Sequence, residues 1–195
     1  MSATQKFIPL TEGSANARKI PQAVFLENTE AWYEKYGGDE VVTQMNELYQ
    51  KYKFMEGQLT RGRESLRVKT PDIRKTLEMV KLLKDKNAKQ EELQTNFLIS
   101  DNVWAKATIP NDTGKVGLWL GANVMVEYSY DEALVLLERN LANAEIRLKS
   151  TEEDLDFLKD QITTTEVNIA RMYNQTVAIK QKEKAAAEGA EAAKQ

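Results

Sequence analysis

The stretch from Val116 to Leu141, VGLWLGANVMVEYSYDEALVLLERNL, changes its hydrophobic periodicity partway along. Up to Tyr128, apolar residues alternate with others around a turn at Gly121, a pattern typical of β-strands. From Asp131 a leucine recurs every three or four residues, which is typical of a coiled-coil helix, and Asp131 is a suitable N-cap. The sequence therefore predicts a small sheet that leads directly into a long helix.

Two heptad arms flank the predicted sheet. In the first arm apolar residues recur every seven positions from Met45 to Val80, and in the second they alternate by three and four from Leu134 to Ile179. These patterns predict two helices, each with one apolar line that faces a partner. The line is poorest in apolar residues in the middle of the first arm, around Pro71, where pairing is expected to be weakest.

Because a small insert joins the arms, they are predicted to fold back on each other as an antiparallel intrachain coiled coil. The favoured register places Val80 opposite Leu137 and Met45 opposite Met172. Pro71 cannot donate to the helical ladder and disfavours helix in the residue before it. It therefore predicts either a kink in one long helix or a break with the preceding threonine as a new cap.

The strands between the arms are predicted to carry assembly with other chains. Two or three strands alone are marginally stable, and the strand from Val116 to Leu120 is apolar on both faces, which suits a covered strand. Val116, Leu118 and Leu120 are expected on one face and Trp119 on the other. We expect several chains to pool their strands through a set of apolar assembly residues: Phe97, Val103, Trp104, Val116, Leu118, Trp119, Leu120, Val124, Val126 and Tyr128.

A second candidate surface lies where the two arms stop. Met45, Met172 and Ile179 lie on the seam and are expected to close the last layers of the coiled coil, whereas Val42, Tyr173 and Val177 lie beside the seam and are expected to be accessible. Adaptable methionine and exposed aromatic side chains suit binding of varied apolar partners. The candidate client-binding residues are Val41, Val42, Met45, Met172, Tyr173, Val177 and Ile179.

Composition excludes several kinds of catalytic site. The 195 residues include no cysteine and no histidine, which excludes disulfides, Cys/His zinc sites and histidine-based acid–base catalysis. The acidic run EEDLD, Glu152 to Asp156, is expected largely on solvated faces. The glycines at 117 and 121 lack the Gly-Lys-Ser/Thr sequence of a phosphate loop. We therefore predict no enzyme activity, no cofactor and no metal site.

Charge and hydropathy bound the partners. A formal net charge of −3 without a basic stripe favours neither nucleic acid nor an anionic membrane. No apolar run approaches the roughly 20 residues that span a bilayer, and the N-terminus lacks the apolar core of a signal peptide. The prediction is a cytoplasmic chain with no membrane and no nucleic-acid partner.

The order of elements and four sequence strings resemble the α-class subunits of the prefoldin family. The resemblance covers about Ile20 to Asn174, and its strings are IPQAVFLEN, YQKYKFMEGQL, WLGANVMVEYSYDEA and EEDLDFLKDQITTTEVNIARMYN. It implies a heterohexamer of two α-class and four β-class subunits, in which the strands form inter-subunit β-barrels and the coiled coils hang from them. The predicted fold class is therefore mainly α: a long antiparallel intrachain coiled coil with two β-hairpins at its closed end that join such a barrel.

The resemblance also implies a function and a set of partners. The complex would be an ATP-independent holdase that captures unfolded actin and tubulin at the coiled-coil tips and passes them to the cytosolic chaperonin. The alternative is a structural coiled-coil tether or scaffold, which needs neither a sheet between its arms nor loose apolar ends. The predicted regions are 1–38 (tail with a short docking segment), 39–94 (first helix), 95–130 (hairpin assembly region), 131–180 (second helix) and 181–195 (low-complexity tail).

Overall fold

The chain begins with short elements and continues into a long helix. The computed structural model describes residues 8–13, 16–110 and 114–192. Strand β1 (Thr11–Glu12) pairs antiparallel with β2 (Gln22–Ala23), and helix α1 (Thr29–Tyr36) follows. Helix α2 then spans Gly38–Ala88. The region predicted as a tail with a docking segment therefore contains both a short helix and an extended part.

Two β-hairpins separate α2 from the second long helix. Strand β3 (Leu93–Ser100) pairs with β4 (Val103–Ile109), and β5 (Lys115–Gly121) pairs with β6 (Val124–Ser129), both antiparallel. Helix α3 spans Tyr130–Ala192. Among the described residues each hairpin is a separate two-stranded sheet. The predicted mainly helical fold, with long helices and two small antiparallel hairpins, is confirmed.

The chain divides into two units, each of which contains an antiparallel pair of helical segments. The first unit comprises Met1–Gly62 and Thr151–Gln195, and the second comprises Arg63–Ser150. The boundary falls close to the stretch where the predicted apolar line is poorest. No helix within the described ranges has the length and apolar character needed to cross a membrane.

The helical segments of each unit pack in the expected order. In the first unit Met45 and Met172 belong to one buried cluster, and in the second Val80 and Leu137 belong to another. These neighbours are the ones that the predicted register places opposite each other. The outer contacts of the second unit include ion pairs that join α2 to α3: Arg74–Glu145 at 2.6 Å, Lys81–Glu138 at 3.2 Å and Lys84–Asp131 at 2.6 Å.

Proline does not interrupt the first long helix. Pro71 lies inside α2, which continues on both sides of it. Thr70 does not act as a new N-cap, because its hydroxyl donates to the Leu66 carbonyl at 2.8 Å, one turn back in the same helix. The predicted alternative of a break with a new cap is therefore wrong, and helical hydrogen bonds on either side hold the segment together.

The helix boundaries differ from the prediction at four places, the first of which is the start of α2 at Gly38, one residue before the predicted start. α2 ends at Ala88 and not at residue 94, because Leu93 already pairs with Ile109 in the first hairpin. α3 begins at Tyr130, one residue before the predicted start. It also extends to Ala192 and not to residue 180, since the alanine-rich tail has high helix propensity.

A capping box starts α3. The Ser129 hydroxyl accepts the Glu132 N–H at 3.4 Å, and the Glu132 carboxylate accepts the Ser129 N–H at 3.1 Å and its hydroxyl at 2.8 Å. These hydrogen bonds lower the pKa of Glu132 and satisfy backbone donors that the first turn leaves free. The cap is therefore Ser129 and not Asp131, whose carboxylate instead accepts a hydrogen bond from Lys84.

Candidate functional site

The two hairpins expose large apolar side chains. On the first hairpin Trp104 is opposite Leu98, and on the second Trp119 is opposite Met125. Trp104 is 62% exposed and Trp119 is 64% exposed, although side chains of this kind are usually covered in a folded chain. We call the exposed apolar residues of this region the hairpin surface: Phe97, Leu98, Ile99, Val103, Trp104, Ile109, Trp119, Leu120, Val124 and Met125.

The second hairpin packs on the helices of its own unit through its other side. Val116, Leu118 and Tyr128 pack against a buried cluster that includes Val80 and Leu137. Val126 is half-buried as well. Three of the predicted assembly residues, Val116, Leu118 and Tyr128, therefore attach the hairpin to the helices, whereas Phe97, Val103, Trp104, Trp119, Leu120 and Val124 are exposed.

Leu120 does not share a face with Val116 and Leu118 as predicted. The strand register shifts between Trp119 and Gly121, which interrupts the two-residue alternation. Leu120 is consequently 50% exposed, whereas Val116 and Leu118 are half-buried. The prediction of a single face was wrong here because a strict alternation assumes an unshifted strand pair.

Three of the seven predicted client-binding residues lie in a buried cluster of the first unit. Val41, Met45 and Met172 are at most 2% exposed, and the N-terminal residues Ile8 and Leu26 complete the cluster. Val42 packs against it and is half-buried. Met45 and Met172 thus close the helix ends as predicted, but a segment distant in sequence covers them together with Val41, so these three residues do not offer an accessible surface.

Other predicted client-binding residues remain accessible. Tyr173 is 59% exposed, and Val177 and Ile179 are half-buried. Tyr173 borders an open groove of about 400 Å³ between α2 and α3. The groove is lined by Asn46, Tyr49, Glu166, Ile169, Ala170, Tyr173 and Asn174. An accessible aromatic ring beside an open groove is suited to weak binding of apolar side chains.

An extended N-terminal segment, residues 18–27, lies along the first unit and is called the docking segment below. The Asn168 side chain contacts its backbone twice, since Oδ1 accepts the Leu26 N–H at 3.0 Å and Nδ2 donates to the Val24 carbonyl at 2.7 Å. Gln161 Oε1 accepts the Ala23 N–H at 2.9 Å. Side chains of α3 thus satisfy backbone groups that no neighbouring strand pairs.

Two further side chains of α3 contact the docking segment, one near each end of it. Arg171 donates to the Leu26 carbonyl at 2.6 Å and to the Glu27 carbonyl at 3.0 Å. At the other end the Arg18 guanidinium forms an ion pair with Asp154. We call Asp154, Gln161, Asn168 and Arg171 the polar row.

Asp154 corrects an expectation about the acidic run. Its side chain is 3% exposed and paired with Arg18, so it does not lie on a solvated face. Within the part of the chain that the structure describes, no three acidic, histidine or cysteine side chains are grouped so that they could hold a metal ion.

The polar row was not predicted from the sequence. The one sequence signal for it is a spacing of seven residues, since Asp154, Gln161 and Asn168 each directly precede a seam position of the coiled coil.

Tyr52 of α2 fixes the docking segment from the opposite side. Its ring is fully buried, and its hydroxyl donates to the Pro21 carbonyl at 2.8 Å. Burial disfavours the phenolate and raises the pKa of Tyr52 to about 12. The neutral tyrosine is thus the form that the folded first unit requires.

This pKa predicts a stability difference at alkaline pH. A tyrosine of the unfolded chain ionises near pH 10, so the stabilisation is complete below pH 10 and is lost as pH rises toward 12. From pH 10 to 12 the unfolding free energy of the parent chain should therefore fall by on the order of 2 kcal/mol more than that of Tyr52→Phe. Urea unfolding at pH 8 to 12 measures this.

At pH 8, below the range in which tyrosine ionises, the two chains should differ in unfolding free energy by a constant amount. Tyr52→Phe should be less stable by about 1 kcal/mol, because it lacks the hydrogen bond to Pro21. The difference should stay constant from pH 7 to 9, which serves as the internal control. Parallel loss of stability by both chains from pH 10 to 12 would contradict a buried, neutral Tyr52.

Comparison with known proteins identifies the family of this fold. Residues 52–175 match the Prefoldin family, described as Prefoldin subunit. A Mus musculus protein named Prefoldin subunit 3 is 46% identical over 181 residues, which cover 89% of this chain and 92% of that protein. The Homo sapiens protein of the same name is 49% identical over 158 residues, 80% of each chain.

A solved structure also matches at lower similarity. It is a chain of filamentous PFD from Methanocaldococcus jannaschii, with a TM-score of 0.46 and 20% sequence identity over 60% of this chain and 94% of that chain. The family match extends from Tyr52 in α2, through both hairpins, to Gln175 in α3. This chain therefore belongs to the prefoldin family, a family of chaperone subunits and not of enzymes.

Proposed function

We propose that the chain is an α-class subunit of a heterohexameric, ATP-independent holdase chaperone. The complex captures unfolded polypeptides, including actin and tubulin, and delivers them to the cytosolic chaperonin. The hairpin surface joins strands of other prefoldin subunits in a β-barrel, and the accessible helix-end residues of the first unit contact the client. The working compartment is the cytoplasm.

The observation that carries the assembly proposal is the exposure of the hairpin surface. Phe97, Trp104 and Trp119 are each more than 60% exposed, and they lie on two-stranded sheets. Exposed apolar strands template pairing with other chains, and isolated hairpins are marginally stable in water. Pairing with strands of partner subunits both covers these side chains and completes the sheets.

The capture proposal rests on residues beside the seam. Tyr173 is exposed and Val177 half-buried on α3, and Tyr173 borders the open groove. Each contact of this kind is weak, but a complex offers several such surfaces at once. Linked weak sites raise overall affinity by about 10²–10⁴ without a new type of contact. A holdase that hydrolyses no nucleotide needs weak, multiple contacts of this kind so that its client can leave.

The test is suppression of aggregation by the assembled complex. The double variant Tyr173→Asp with Val177→Asp should weaken suppression of light scattering by denatured actin at least about threefold, because both charges oppose apolar binding. The matched control is Ile146→Asp, which changes an apolar residue that is 66% exposed on α3 in the second unit. That control should suppress aggregation as the parent complex does.

Assembly is measured in the same samples. The mass of the complex should be unchanged in the double variant and in the control. If the double variant suppresses aggregation as well as the parent, the helix-end residues do not bind the client. If the parent complex assembles but suppresses nothing, the chain is a structural tether and the holdase proposal is wrong.

A further inference from the structure

The docking segment bonds to α3 through its backbone, in addition to the contacts of its buried side chains. Its N–H groups at Ala23 and Leu26 and its carbonyls at Val24, Leu26 and Glu27 all bond to side chains of α3. Asn168 both accepts from and donates to this backbone, as a neighbouring strand would. Every polypeptide carries these groups, so the polar row can recognise an extended chain of almost any sequence.

The spacing of the polar row fits an extended chain. Gln161 binds the N–H of Ala23 and Asn168 binds the N–H of Leu26, so seven helical residues correspond to three residues of the segment. Seven residues advance an α-helix by about 10.5 Å, and three residues of an extended polyproline-type chain advance by about 9.3 Å. The two rises nearly match, so the bond that Gln161 accepts from a backbone N–H recurs one heptad later at Asn168.

Side chains of the docking segment are buried with the same period of three. Ile20, Ala23 and Leu26 are 5%, 7% and 0% exposed, whereas Gln22 and Phe25 are exposed. Ile20 and Ala23 pack in the cluster that contains Tyr52, and Leu26 packs in the cluster that contains Met45. The three positions hold an isoleucine, an alanine and a leucine, which differ in size but are all apolar. The surface therefore covers an apolar side chain at every third position of the segment.

We propose that the polar row and its adjoining apolar clusters form a binding site for extended polypeptide, and that the docking segment is its built-in occupant. A non-native client segment with apolar side chains three residues apart displaces the docking segment and forms the same backbone hydrogen bonds. This inference rests on the proposed holdase function and names a second place, besides the accessible helix-end residues, where the client binds.

Displacement gives a reason for release without nucleotide hydrolysis. The docking segment is covalently attached through α1, so it competes at an effective concentration on the order of millimolar. A client segment displaces it only while the client's other contacts to the complex hold that segment at a comparable local concentration. When those contacts are lost at handover, the docking segment rebinds and closes the site.

The absence of cysteine from the chain allows a direct measurement. Ala23→Cys introduces a thiol at a buried position of the docking segment, and Gln22→Cys introduces one at the neighbouring exposed position. The complex is recovered through a tag on this chain, and maleimide alkylation at position 22 or 23 is followed by mass spectrometry. The client probe is reduced, carboxymethylated lactalbumin, which stays unfolded and offers no thiol.

Saturating client should accelerate alkylation at position 23 by about tenfold, because the buried thiol becomes accessible when the segment leaves. The rate at position 22 should change less than twofold, since that side chain is exposed in either state. Binding of the client is measured in parallel by fluorescence anisotropy of labelled lactalbumin. If the client binds while the rate at position 23 stays the same, the inference is wrong and the proposed function stands. If the client does not bind, both are wrong.

A second measurement covers the case in which Ala23→Cys itself releases the segment. In the unmodified complex, hydrogen–deuterium exchange of the peptide covering residues 18–27 should become faster in the presence of client. Without client, Asn168→Ala should make exchange of this peptide at least about threefold faster, because the docking segment loses two backbone hydrogen bonds. The matched control is Asn143→Ala, an exposed position on α3 in the second unit, which should exchange as the parent does. Exchange that bound client leaves unchanged, or equal exchange in the two variants without client, would overturn the inference.

Discussion

Trp119→Asp is expected to stop the chain from assembling with other prefoldin subunits while leaving its helix content intact. The indole ring is 64% exposed and faces Met125 across the hairpin, so the substitution removes apolar surface without disturbing the helix clusters. Loss of an interface tryptophan commonly costs about 2–4 kcal/mol, and an unpaired carboxylate in the contact adds to that cost. Recovery of partner subunits with the tagged chain should fall at least about tenfold.

The matched control for this prediction is Val135→Asp. Val135 is 69% exposed on α3 in the same unit as the hairpins, but it does not belong to the hairpin surface. Its substitution should leave partner recovery unchanged, and circular dichroism should show the same helix content in both variants. Equal recovery of partners by Trp119→Asp and the parent chain would show that the second hairpin does not carry assembly.

Leu26→Ala is expected to destabilise the first unit strongly. Leu26 is fully buried with Met45 and Met172, and its removal leaves a cavity where the docking segment covers the helices. Large-to-small substitutions at such positions cost about 2–5 kcal/mol. Urea unfolding followed by circular dichroism should give a free energy of unfolding lower by that amount.

The neighbouring Phe25 supplies the control for Leu26→Ala. Phe25 is 51% exposed and lies under the Arg171 guanidinium at 4.9 Å, so Phe25→Ala removes a larger side chain from a less buried position. We expect it to cost about 1 kcal/mol or less. Equal destabilisation by the two substitutions would contradict the burial of Leu26 beneath the docked segment.

Much of the fold follows from hydrophobic periodicity. A seven-residue repeat fixes which face of each helix is covered, and the two-residue repeat between Val103 and Tyr128 predicts strands. Because the insert between the arms is short, antiparallel pairing and its register follow as well. Met45 therefore lies in one cluster with Met172, as the sequence predicts.

The polar row could not be predicted in this way. Asp154, Gln161 and Asn168 are buried because the docking segment covers them, and their partners in that segment lie more than 130 residues away in the sequence. A helical pattern reports the face that another helix covers and gives no signal for an irregular segment that bonds through its backbone. The same limit explains why the covering of Val41, Met45 and Met172 by an N-terminal segment was not predicted.

Local irregularities account for the remaining differences. The shift of register beside Leu120 depends on the pairing of the two strands and not on either strand alone. Pro71 remains inside α2 because tertiary packing and the neighbouring helical turns outweigh one lost hydrogen bond. Neither outcome is encoded in periodicity, since each depends on the energy balance between competing local structures.

The measurement that tests the central claim most directly is the native mass of the complex that contains this chain. A tagged copy should be recovered from cytosol and analysed by native mass spectrometry under conditions that keep subunits together. The proposed assembly through the hairpin surface predicts six subunits, two of the α-class and four of the β-class. Recovery of the chain alone, or only as an assembly of its own copies, would contradict the claim that the exposed hairpins join it to other prefoldin subunits.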